Sequence, residues 1–153
     1  IVETDISGST SINTDVMKQL IYQTPAENLN RVEKDGILYI WEEKKLAIDV
    51  YQTLYEKWKL PIFANMARSE QTHMEAVKLL INKYGLKDPV ESKGVGEFTN
   101  PKFQDLYNKL VEEVSKSIES ALKIGAVIEE VDIIDLQKTF GWNEQERHKA
   151  RVW

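Results

Sequence analysis

Apolar positions recur along most of this chain at the spacing of an α-helix. Ile62, Met66, Val77, Leu80 and Tyr84 share one helical stripe between Pro61 and Tyr84, and Glu70 and His73 fall on the same stripe. A second segment runs from about Leu29 to Trp58, is interrupted at Gly36, and is strongest from Ile37 onward. There Ile40, Glu43, Ala47, Val50 and Leu54 form the inward line, while Lys45, Asp49, Gln52 and Glu56 lie mostly off it and Glu42 reads as the solvated neighbour of Glu43. Tyr39, Trp41, Tyr51, Tyr55 and Trp58 predict burial of this helix over a wide arc, chiefly as core packing. Phe103, Leu106, Tyr107, Leu110, Val111 and Val114 mark a shorter helix. Ile118, Leu122, Gly125, Glu129, Asp132 and Leu136 mark a further stripe, again with acids in it.

Turn and cap residues divide these segments. Residues 1–14, with Ser7-Gly8-Ser9-Thr10-Ser11, have turn-forming composition and predict a flexible lead. Val16, Leu20 and Ile21 predict a short helix from Asp15 to Tyr22, capped by Thr14 or Asp15 and closed before Pro25. Lys59-Leu60-Pro61 is a tight connector that predicts an antiparallel helical hairpin, with Gly85 as the C-terminal cap of its second arm. Leu86 to Thr99, with Asp88-Pro89, Gly94 and Gly96, reads as a crossover loop, and Asn100-Pro101 opens the next helix. One unbroken helix from 101 to 138 would be ~57 Å long. A bend is therefore expected at Ser115-Lys116-Ser117. The helical domain spans 15–140, followed by a short tail, 141–153, in which Glu144, Glu146 and His148 read as solvated.

At 153 residues this is one all-α domain, large enough to hold a core without staples. With no cysteine, thiolate catalysis and iron–sulfur chemistry are excluded. The 25 acidic against 20 basic residues give a net charge of −5 and no basic face for nucleic acid. No apolar run approaches the ~20 residues that span a bilayer. The start at Ile1 reads either as a boundary of the piece or as the product of signal removal, with a slight lean to an extracytoplasmic, secreted protein.

An acid in an apolar stripe needs a partner or a cation, because a carboxylate held away from water costs several kcal/mol. Here three stripes each carry one, and Glu70-x-x-His73 and Glu129-x-x-Asp132 repeat an i, i+3 geometry. Inward carboxylates and an imidazole from separate helices are the parts of a dimetal site in a bundle core. An oxygen-rich set with little nitrogen suits iron or manganese more than copper, and zinc also fits.

At Glu42 to Tyr51, Ser69 to Met74, Thr99 to Pro101 and Gly125 to Leu136, the sequence resembles the ferritin-like superfamily, and within it small bacterial and archaeal domains of unassigned function. The resemblance covers residues 37–136. It implies a four-helix bundle in which Glu43 is the first-helix ligand, Glu70 and His73 the second-helix pair, and Glu129 or Glu130 the third-helix carboxylate, with two iron or manganese ions. The further helix that it implies is not legible after Phe140. Two expectations follow: Glu112 or Glu113 from the shorter helix reaches in, or a second copy of the chain completes the bundle, which predicts a homo-oligomer. Redox chemistry on dioxygen or peroxide is one functional expectation, with Tyr39, Tyr51 and Tyr55 beside the site as packing or as an electron relay. A structural or assembly module that kept the bundle and lost turnover is the other.

Overall fold

The computed structural model describes residues 2–4 and 10–140. A two-stranded antiparallel ribbon, β1 (Val2–Thr4) and β2 (Thr10–Ile12), precedes five helices: α1 (Thr14–Gln23), α2 (Arg31–Trp58), α3 (Pro61–Lys83), α4 (Pro101–Val114) and α5 (Ile118–Phe140). Val2 pairs with Ile12 and Thr4 with Thr10, so part of the stretch expected to be an irregular lead is paired backbone. The first helix begins earlier than its apolar spacing implied: Asn13 is its cap, and its side chain accepts from the Val16 amide at 3.0 Å.

The long helix α2 is the hub, packing against α3, α4 and α5, while α1 rests on α3. It runs unbroken through Gly36, where an interruption was expected. Asn30 and Glu33 close a reciprocal capping box at its start, with bonds of 3.0 and 2.8 Å. A mid-helix glycine costs ~1 kcal/mol relative to alanine. That is small against the cap and the continuous burial from Ile40 to Tyr51.

The reversal into α3 takes two residues, Lys59 in a left-handed conformation (φ 55°) and Leu60, before Pro61 at the first helical position. The inward line of α3 runs through Phe63, Ala67, Glu70, Met74, Val77 and Ile81. Ile62, placed on that line by the sequence, is exposed, and Phe63 beside it is fully buried. Glu70 lies on both lines because it falls at i+7 from Phe63 and i+8 from Ile62. Trp58 donates its indole N–H to the Val114 carbonyl at 3.0 Å, tying the end of α2 to the end of α4. The expected bend is a full break, since Ser115 and Lys116 form a turn and the Ser117 hydroxyl receives the Ser120 amide at 3.0 Å.

The crossover segment is fastened to α2 by side chains that the sequence placed off the core. Glu42 is 5% exposed and accepts from the Thr99 and Asn100 amides at 2.6 and 2.7 Å, so it is not the solvated neighbour of Glu43. Asp49 accepts the Gly96 amide at 2.8 Å, and Lys45 pairs with Asp49 while donating to the Gly94 carbonyl at 2.7 Å. Trp41 reaches Asp88 at 2.6 Å. Gly96 has φ +76°, and a β-carbon there would meet the Tyr107 ring at 2.5 Å, so the tight approach of loop and α4 requires glycine. Tyr39 and Tyr55 are each 40% exposed, Tyr39 with its ring 4.8 Å from that of Phe103, so the fully buried aromatics of α2 are Trp41 and Tyr51.

Candidate functional site

The three helices α2, α3 and α5 bring an ion cluster into the interior. Glu70 occupies the middle of the inward line of α3 and is 1% exposed. Its Oε2 lies 3.1 Å from the Lys44 ammonium of α2 and 3.3 Å from His73 Nδ1, one turn further along α3. Burial acts to raise the Glu70 pKa, but the hydrogen bond from His73 and the positive charge of Lys44 outweigh it, and the carboxyl sits below its ordinary value. Glu70 is the anion at the centre.

Glu129 enters from α5, half-buried, with Oε1 at 3.0 Å from the Tyr51 hydroxyl. The same hydroxyl lies 3.1 Å from the Gly125 carbonyl. Burial raises the Glu129 pKa, the negative charge of Glu70 raises it further, and Tyr51, Lys44 and His73 offset only part of this. A phenol has one hydrogen, so it cannot satisfy two acceptors fully. The Tyr51 hydroxyl is thus shared between the Glu129 carboxyl and the Gly125 carbonyl.

The two carboxylates titrate in opposite senses. A raised folded-state pKa at Glu129 gives stability that is full below the ordinary glutamate value and is lost as pH rises through the raised one. The lowered pKa of Glu70 gives stability present above the ordinary value and lost as pH falls through the lowered one. Glu129→Gln should therefore flatten the decline of urea midpoint on the alkaline side of the glutamate range and leave the acid limb in place. An unchanged alkaline limb would remove Glu129 from this account.

Each candidate from the sequence whose side chain is among the described residues has a definite place. Glu43 is buried on α2 next to Lys44, Glu70 pairs with His73, and Glu129 lies within electrostatic reach of both. Glu130 is exposed and joins nothing in the interior. The Asp132 side chain lies outside the described residues, as do Glu144, Glu146 and His148. Glu112 and Glu113 are exposed, and Glu113 pairs with Lys116, so α4 supplies no inward acid. Sequence reasoning missed Lys44. Its signal was a charged tetrad, Glu42 to Lys45, set between Ile40-Trp41 and Leu46-Ala47-Ile48, where a helix buried on all sides leaves no route to water.

The described part of the cluster carries a cation of its own, the Lys44 ammonium. Among the described residues, no three carboxylate or imidazole side chains are gathered as a group that could hold a metal ion. The Lys44 ammonium stands against the Glu70 oxygen that a bridging role would require.

Five helices, with a lysine–glutamate ion pair buried between α2 and α3 and His73 beside it, define a helical protein with an internally charged core. The chain belongs to the family described as "Uncharacterized protein domain (DUF2202)", whose profile matches residues 33–151. It is 52% identical over 130 residues to the uncharacterized protein MJ0754 of Methanocaldococcus jannaschii, covering 85% of this chain and 70% of that protein. The crystal structure of hypothetical protein MJ0754 from the same organism superposes with a TM-score of 0.75 at 51% identity, covering 81% of this chain and 71% of that one.

Proposed function

We propose that this chain is a ferritin-like helical module with a structural or assembly role, whose interior acids are held by internal ion pairs and hydrogen bonds in place of a redox metal pair. The carrying observation is the Lys44–Glu70 contact of 3.1 Å with both side chains almost fully enclosed, 4% and 1% exposed. A buried carboxylate requires a positive partner, and here the chain supplies its own. An assembly role draws support from α5, where Val127, Val131 and Ile134 recur at i, i+4 and i+7 and are each about 40–50% exposed. Such a stripe suits a second copy of the chain and agrees with the expectation of a homo-oligomer.

A dimetal oxidase or peroxidase is the second reading. What favours it is Glu129 brought within electrostatic reach of Glu70, an arrangement of like charges that a cation would relieve.

Native mass spectrometry of the purified chain, after exposure to Fe(II) and Mn(II), reads metal content and copy number together. The scaffold reading expects a metal-free mass in a discrete oligomer. Two iron or manganese ions per chain would overturn it in favour of the oxidase.

A further inference from the structure

We infer that α5 is a self-complementary seam through which two copies of the chain join antiparallel, with Lys123 of each copy set against Glu130 of the other. The inference rests on the assembly reading and deepens it by naming the face, the direction and the charges that fix them. One side of α5 is already occupied within the chain. Ala121 and Ile128 are buried, and the Gly125 carbonyl meets the Tyr51 hydroxyl at 3.1 Å, so that line of the helix faces the core. Val127, Val131 and Ile134 lie on another line, 48%, 41% and 39% exposed. Ile124, partly buried at the edge of the core, joins them, giving Ile124, Val127, Val131 and Ile134 at spacings of three, four and three residues. That is the heptad spacing of a helix packed lengthwise against another helix. A second apolar line on one helix needs a second neighbour.

Charge identifies the neighbour. Lys123 and Glu130 immediately precede Ile124 and Val131, one heptad apart, and both are exposed on the flank of the seam turned away from the core. In an antiparallel copy this flank meets its own counterpart in reverse order. Lys123 then faces Glu130 and Glu130 faces Lys123, related by one two-fold axis. A parallel copy offers no such match, because its facing flank carries Ala121 and Ile128, which are buried in the core. In the single chain Lys123 pairs with Glu119 at 2.7 Å, but with side chains 72% and 77% exposed this pair contributes little and exchanges readily.

The test measures the mass of the whole chain in solution by light scattering after size exclusion, with helicity followed by circular dichroism. The wild type is expected to be a dimer. Lys123→Glu and Glu130→Lys should each set like charges against one another at both ends of the seam and weaken the dimer about 10-fold or more. Mixed in equal amounts, the two variants should form a one-to-one heterodimer, since one copy then presents two acids and the other two bases. The double exchange, Lys123→Glu with Glu130→Lys in one chain, should restore the homodimer, and Val131→Asp should abolish it with helicity kept. A wild-type dimer that none of these changes weakens overturns the inference and leaves the assembly reading, through another face, standing. A wild type that stays monomeric throughout the micromolar range overturns both. A dimer that Val131→Asp weakens, with no rescue in the mixture or the double exchange, overturns the antiparallel pairing. Should Val131→Asp unfold the chain, the charge variants decide alone.

Discussion

Glu70→Ala should lower the unfolding free energy by about 3–5 kcal/mol, the range for removing one partner of a buried ion pair. The loss exceeds that of the methylenes alone, because Lys44 stays enclosed without the oxygen that it meets at 3.1 Å and His73 loses its acceptor. Urea denaturation with circular dichroism reads it directly. A paired replacement, Lys44→Met with Glu70→Met, should recover much of the loss, since an apolar pair of similar volume needs no compensation for lost hydration. If Glu70→Ala costs under 1 kcal/mol, the cluster is not a stabilising element and the account of the interior fails.

Glu42→Ala is expected to be the second most damaging change, at about 3 kcal/mol. Its carboxylate receives two backbone amides, and a hydrogen bond to a charged acceptor contributes ~1.5–3 kcal/mol. Both amides belong to the start of α4, Thr99 at 2.6 Å and Asn100 at 2.7 Å, where a negative charge also complements the helix dipole. The effect should be local before it is global. Hydrogen exchange at the Thr99 and Asn100 amides should accelerate strongly while the α2–α3 hairpin stays protected. Equal acceleration across both regions would show that Glu42 supports the whole core and not the loop junction.

Helix boundaries were the most legible part of the chain, because proline, glycine and asparagine act locally. Asn100-Pro101 opens α4, Lys59-Leu60-Pro61 turns the hairpin, and Gly85 follows α3 with φ +58°, each as its residue type implies. The inward acids Glu43 and Glu70 were legible for a related reason, since helical spacing alone places them among apolar neighbours.

The polar face of α2 was misread. Glu42, Lys45 and Asp49 lie away from its apolar line, and spacing cannot reveal that the crossover segment folds back and encloses them. Their burial depends on contacts 47 to 58 residues distant in sequence. Lys44 was hidden by the same limit, because a lysine in a run of charges reads as solvated until the third helix is in place. On α3, the shift from Ile62 to Phe63 shows how one residue of phase decides which side chain enters the core, while the acid at position 70 satisfies either phase.

Lys83 has a further consequence. Its ammonium grips the carbonyls of Ile21 and Thr24 at 2.6 and 2.7 Å, at the close of α1, which packs chiefly against α3. The leading arm is thus buttoned onto α3 from outside, and its local opening is expected to leave the interior in place. The family profile begins at residue 33, so it leaves out α1 and includes Lys83. The enclosed Lys44–Glu70 link lies deeper, between α2 and α3, away from that attachment.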